Sequence, residues 1–241
     1  MHLVIDKGNT AIKYGGYLKG KNIFEVRGEN VLEEVKKHIQ PYTIEALLFS
    51  DVSGELSPQE LLRQFTPKHL FRVSELKKFP FRHSYKTPHT LGEDRIALVA
   101  AAHKCYPKLP VLVIDAGSCI TFDFLDADGE YHGGAISPGI SMRFRSMEKF
   151  TGKLPLGSIE NFPEGLGQST HESLAAGVLS GILFEIEGRI NQLKSQFSDL
   201  TVILTGGDAE LLSKRLKNPI FAHPNFLLEG LDHLLSFNIN E

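Results

Sequence analysis

Cysteine is scarce in this 241-residue chain: Cys105 and Cys119 are the only two. Two thiols cannot build the disulfide framework that holds a small secreted domain together. One falls in an apolar helical run and the other at a strand start, so both are expected as buried thiols. No apolar run reaches the ~18 residues of a membrane span. The chain opens directly on strand-forming residues, without a signal-type leader. The expectation is a soluble cytoplasmic protein with no membrane partner. Positive charge is not in excess either, since 26 Lys and Arg face 29 Asp and Glu for a net charge of −3. That balance does not favour nucleic acid as a partner. The ten histidines lack HExxH or paired Cys/His spacing, which argues against a zinc site.

What is present is a hydrophobic content of 41%, enough for one large core or two modest ones. One stretch, 63–95, is locally basic through Arg72, Lys77, Lys78, Arg82 and Lys86. It reads either as a solvated face or as a rim that draws in anionic substrates.

Period-two and period-3.6 patterning predicts strands over 2–5, 11–18 and 23–26, a helix over 31–39, a strand over 46–52, a helix over 58–65 and a strand over 69–73. Residues 76–90 read as a loop with Pro80 and Pro88, followed by an Ala- and Leu-rich helix from Asp94 to Lys104. The pattern then restarts: strands over 111–114, 120–125 and 131–136, and a helix over 140–150. A Gly/Pro-rich irregular stretch covers 151–168, and a long helix is expected over 170–197 behind a Ser169/Glu172 capping box. A strand over 201–204, a helix over 209–216, a strand over 220–222 and a helix over 227–235 close the chain. The second half repeats the first, so two α/β domains are expected, 1–109 and 110–241, with the boundary near Pro107 to Pro110.

Two segments carry the repeat most clearly. Val4-Ile5-Asp6-Lys7-Gly8-Asn9-Thr10-Ala11-Ile12-Lys13 has a counterpart in Val113-Ile114-Asp115-Ala116-Gly117-Ser118-Cys119-Ile120-Thr121. Each is a strand, then Asp-x-Gly, then small polar residues, then a second strand. Glycine lets backbone approach a ligand closely, and successive N–H groups of such a turn can cradle an anion. Lys13 adds a cation. A single copy would be an ordinary hairpin turn. Two copies in duplicated halves point to a nucleotide bracketed between them, with the phosphates of ATP and a hydrated magnesium ion beside the carboxylates.

Other motifs are weaker alone. Gly92-Glu93-Asp94-Arg95 opens a helix, so Asp94 is either an N-cap or a carboxylate base for phosphoryl transfer to a hydroxyl. Thr205-Gly206-Gly207-Asp208 is either a plain turn or a backbone surface for adenine or ribose. The run from Gly133 to Gly139 is a bulge or a pocket floor. Gly177 and Gly181 sit one turn apart in the long helix, which costs ~1 kcal/mol each against alanine. Close helix packing, within the chain or against a second copy, would offset it.

In order and spacing these motifs resemble the type III pantothenate kinases, of the acetate and sugar kinase/Hsp70/actin superfamily. The resemblance spans nearly the whole chain and includes Tyr85-Lys86-Thr87-Pro88 and Ser169-Thr170. It implies two duplicated ribonuclease H-like, actin-like ATPase domains with a mixed five-stranded sheet each. It implies ATP-dependent phosphorylation of pantothenate to 4′-phosphopantothenate, the first step of coenzyme A biosynthesis, by a homodimer. Asp6, Lys7, Gly8, Asn9, Thr10, Ala11, Ile12 and Lys13 would form the ATP phosphate loop, and Ser118 would contact ATP. Asp94 would be the base. Tyr85, Gly92, Glu93, Asp94, Arg95 and Thr170 would line the pantothenate pocket, and Asp115 would bind a monovalent cation, potassium or ammonium. Two positions depart from the family pattern: Lys7 stands where an aliphatic residue is usual, and Ser118-Cys119 where Thr-Ala is usual. Two alternatives share the fold: a kinase for another hydroxylated small molecule, and a nucleotide-binding regulator without catalysis.

Overall fold

The computed structural model describes residues 1–163 and 165–239. The chain runs β1 (His2–Lys7), β2 (Ile12–Leu18), β3 (Lys21–Gly28), α1 (Leu32–Ile39), β4 (Ala46–Asp51), α2 (Pro58–Phe65), β5 (His69–Arg72), β6 (Arg82–His83) and α3 (Glu93–Cys105). It continues β7 (Val111–Ala116), β8 (Cys119–Leu125), β9 (Glu130–Pro138), α4 (Ile140–Phe150), α5 (Thr170–Lys194), β10 (Thr201–Thr205), α6 (Ala209–Ser213), β11 (Phe221–Ala222) and α7 (Phe226–Ile239). The expected element order is reproduced, with one addition. Arg82–His83, in the stretch expected as loop, pairs in parallel with Glu130–Tyr131. The second sheet therefore has six strands rather than five, in the order β11-β10-β7-β8-β9-β6. Two residues of pairing leave too short a periodicity to read from sequence.

The first sheet has the order β3-β2-β1-β4-β5, antiparallel at β1–β2 and β2–β3 and parallel at β1–β4 and β4–β5. Every residue of β4 is buried, as expected of a central strand covered on both faces. On one face Leu3, Ile5, Leu47 and Phe49 join Val35 of α1 and Leu61 and Phe65 of α2 in one core. The alternate residues Val4 and Leu48 face the other way and are fully buried too, on the side where α7 packs on β1 and β4. α7 also packs along α3. That explains why α3 is apolar all round, with Ile96 to Ala102 buried. Among the described residues no helix is long and apolar enough to cross a membrane.

The chain divides into two compact units. The first holds Met1–Lys108, Asp123–Gly133 and the C-terminal segment from Asn225. The second holds Leu109–Phe122 and Gly134–Pro224. In the second unit α5 buries Leu174, Val178, Leu179, Ile182, Ile186 and Ile190 along one side, with α4 packed beside it. Cys105, expected as buried, is exposed at the last position of α3. Its thiol meets Glu229 at 3.5 Å, and partial desolvation of the sulfur together with that carboxylate pushes its pKa up to about 11.

Candidate active site

In the first unit, Asp6 lies near the end of β1, in register with Lys13 on β2 and Ser50 on β4. It is only 4% exposed. Lys13 Nζ stands 3.5 Å from its Oδ2. Burial pushes the Asp6 carboxyl above its ordinary range; Lys13 works against this and Asp94 adds to it. Beyond Asp6 the Gly8 N–H donates to the Ala11 carbonyl at 3.1 Å, leaving Asn9 and Thr10 exposed at the tip. The Ile12 side chain belongs to the core, so this residue has its backbone to offer a ligand. Lys7, the departure from the family pattern, pairs with Glu55 at 2.9 Å.

The helix expected from Asp94 starts one residue earlier, and Gly92 is its N-cap. Asp94 is therefore not the cap. Its Oδ1 accepts from the Arg95 N–H at 2.8 Å, folded so tightly over the helix start that a Cβ on Gly92 would lie 2.4 Å from it. Burial raises the Asp94 carboxyl, opposed by the N–H and charge of Arg95.

The neighbours of Asp94 are anchored in two buried networks. Glu93, 6% exposed, accepts from the Asp51 N–H at 2.7 Å, from Arg72 Nε at 2.8 Å and from the Ser74 N–H at 3.3 Å. Its carboxylate thus ties α3 to the end of β4. Arg95, 5% exposed, gives Nε to Asp123 Oδ1 at 2.9 Å and Nη2 to the Tyr131 hydroxyl at 2.9 Å. Tyr131 donates onward to Asp123 Oδ1 at 2.6 Å. Tyr85 stacks on Tyr131 with ring centroids 6.1 Å apart and lies under the Arg95 guanidinium. Burial raises the Asp123 carboxyl, with Arg95 opposing. Sequence reasoning assigned no role to Asp123 or to the Tyr131 hydroxyl. The available signal was a carboxylate inside the mostly apolar strand run 119–125, since a buried charge requires a partner.

In the second unit, Asp115 sits near the end of β7, in register with Thr205 of β10. The turn after it is closed by Gly117 N–H donating to Cys119 O at 2.9 Å. Two motifs that were weak alone converge on this turn. The Gly139 N–H donates to Ser118 O at 3.1 Å and the Asp208 N–H to Ala116 O at 2.9 Å. Gly206, at φ +97°, passes close enough that a Cβ would meet Asp115 Oδ1 at 2.4 Å. Asp208 is the N-cap of α6, but its side chain makes no cap hydrogen bond. Thr170 begins α5 behind the expected cap: Ser169 Oγ accepts from the Glu172 N–H at 3.2 Å. Glu172 reaches back one residue further than a capping box requires, to the Gln168 N–H at 2.7 Å. Thr170 lines a recess of roughly 530 Å³ with Met147, Leu154, Gly167, Ser173 and Gly177.

A family model described as type III pantothenate kinase matches residues 2–192. The type III pantothenate kinase of Christiangramia forsetii is 46% identical, over 99% of each chain. That of Flavobacterium johnsoniae is 40% identical over 100% of this chain and 99% of its own. Among solved structures, a Campylobacter jejuni chain assigned to the Baf family of transcriptional activators superposes with a TM-score of 0.64 at 22% identity, covering 99% of this chain and 100% of its own. A glucokinase from an Antarctic psychrotroph superposes at 0.53 and 10% identity, over 98% of each. These two likenesses establish the α/β fold, and the sequence matches establish the lineage: the chain belongs to the type III pantothenate kinase family.

Proposed function

We propose that this chain transfers the γ-phosphoryl group of ATP to the primary hydroxyl of pantothenate, making 4′-phosphopantothenate for coenzyme A synthesis in the cytoplasm. The observation that carries this reading is the pair of carboxylates of the first unit: Asp6, 4% exposed near the end of β1 with Lys13 Nζ at 3.5 Å, and Asp94, folded over the start of α3, whose charge acts on Asp6. Phosphoryl transfer asks for positioning and charge stabilisation rather than covalent help from protein. Asp94 takes the hydroxyl proton as the new O–P bond forms and ADP departs with the electron pair of the old one. A carboxyl raised by burial is a stronger base than an ordinary one.

The turn from Asp6 to Lys13 offers backbone N–H groups and an ammonium to the phosphates. Tyr85 and the helix start at Gly92 to Arg95 border the pantothenate, and Ser118 contacts the nucleotide. Asp6, buried with one cation at 3.5 Å, suits a magnesium ion held mainly by phosphates and water, which when bound neutralises phosphate charge. Asp115, with the carbonyls of its turn, suits potassium or ammonium.

The active form is a homodimer formed through α5. A Cβ on Gly177 or on Gly188 would meet nothing within 4 Å, and Phe184 is 75% exposed. At 100° per residue Gly177, Gly181, Phe184 and Gly188 share one face with Thr170. The open space at Gly177 and Gly188 on this face supports close approach of a second copy.

Purified protein incubated with ATP, magnesium, potassium and pantothenate should yield ADP and 4′-phosphopantothenate in equal amounts. No phosphorylated product under those conditions overturns the reading.

A further inference from the structure

Arg95 is the cation next to Asp94 in sequence, and a guanidinium paired with a carboxylate removes its basicity. The structure directs it elsewhere. The Arg95 ion pair runs to Asp123, with Nη2 2.8 Å from Oδ1, and both groups are at least 95% buried. Tyr131 closes the triangle by accepting from Arg95 and donating to the same Asp123 oxygen. Among the described residues Asp94 forms no ion pair. On the other flank Glu93 is held by Arg72 and the Asp51 N–H. Successive helical residues point 100° apart, so anchoring 93 and 95 leaves Asp94 projecting between them.

We propose that Asp123 and Tyr131 are positioning residues that hold the Arg95 guanidinium off Asp94, leaving the Asp94 carboxylate unpaired for the acceptor hydroxyl. This rests on the reading of Asp94 as the base. The charged groups that act with Asp94 are Glu93 and Arg95 of its own helix, Asp6 of β1 and Asp123 of β8. When the triangle is loosened, Arg95 gains freedom to turn to Asp94, which quenches it.

The test uses Tyr131→Phe, which keeps the ring and removes only the hydroxyl, and Asp123→Asn, which keeps the shape and removes the charge. In Tyr131→Phe, kcat should fall about tenfold while the KM for pantothenate changes less than about threefold, the mark of an interaction that acts on turnover rather than on binding. The Asp94 carboxyl, followed by its 13C chemical shift against pH, should titrate lower in both variants than in the natural protein. A natural kcat in folded Tyr131→Phe overturns the proposal. So does a loss that falls mainly in KM, or a lower kcat with the Asp94 titration unmoved. If Asp123→Asn does not fold, Tyr131→Phe alone decides. Should the natural protein turn over no pantothenate, the activity reading fails and the titration decides separately: an unmoved midpoint overturns the positioning role, and a lowered one supports it.

Discussion

Gly206 passes so close to Asp115 that a Cβ on it would lie 2.4 Å from Asp115 Oδ1 and 2.3 Å from the Ala116 carbonyl oxygen. Ninety-one positions apart in the chain, the two residues define one feature, because β10 runs parallel to β7 with Thr205 opposite Asp115. Gly206→Ala meets backbone on one side and a left-handed φ on the other. It should cost about 1–3 kcal/mol, a Tm drop on the order of 5 °C for a chain of this size. Calorimetry checks the drop. The potassium concentration for half-maximal activity should rise in the same variant, because the displaced group is the carboxylate assigned to the cation.

Asp94→Asn tests the role of that residue as the base. Gly92 is the helix cap, so the substitution should spare stability. The folded carboxyl is raised above its unfolded value. The folded state therefore holds its proton over a pH window where the unfolded state has released it. Its contribution favours folding at low pH and is lost as pH rises through the folded value. Asparagine removes that penalty at neutral pH and still accepts from the Arg95 N–H. The variant should match or exceed the natural Tm at pH 7.5 and lose kcat by at least about a hundredfold. A natural kcat in the folded variant would remove Asp94 from the role of base.

The same direction sets the pH–rate profile. Asp6 and Asp94 are both raised, by burial first; the charge of Asp94 adds to the shift of Asp6, and that of Glu93 to the shift of Asp94. The acidic limb of kcat should lie above the ordinary carboxylate value of about 4. Lys13→Met removes the cation that opposes the shift of Asp6, so its acidic limb should move to higher pH still. A limb at or below the ordinary value in the natural protein contradicts the assignment.

Glu93→Gln exchanges one acceptor oxygen for a donor facing N–H groups. The loss of the Arg72 pair, with Arg72 one-third exposed, discounts the full cost of breaking a buried ion pair. We expect about 2 kcal/mol in denaturant unfolding. A neutral result would mean that the clasp between α3 and β4 does not hold the helix start.

Gly177→Ala distinguishes a lone chain from a paired one by sign. With open space around its Cβ, alanine should stabilise an isolated chain by about 1 kcal/mol through helix propensity. If α5 packs closely on a second copy, the methyl group weakens the pair instead. Sedimentation velocity should then show dimer dissociating at higher protein concentration than in the natural chain.

Much of the site was legible in the primary structure because its chemistry is carried by short, locally encoded turns. Asp6-x-Gly8 and Asp115-x-Gly117 each sit where an apolar strand meets a glycine turn, and alternation located both to within a residue or two. The buried networks were not legible. The partners of Arg95 lie 28 and 36 positions away on β8 and β9. The fate of Glu93 likewise depended on Asp51 and Arg72, on strands set beside it only by packing. β6 escaped notice because two residues carry no period.

The order of residues thus determined the element sequence, the duplicated Asp-bearing turns, the family and the candidate base, since each depends on neighbours within a few positions. Tertiary structure decided which side chains remain available. Burial strips water from a charge, and a desolvated charge must be compensated by whatever lies across the fold. For that reason Glu93 and Arg95 are held in clasps, Gly206 belongs to Asp115, and Asp94 forms no ion pair among the described residues.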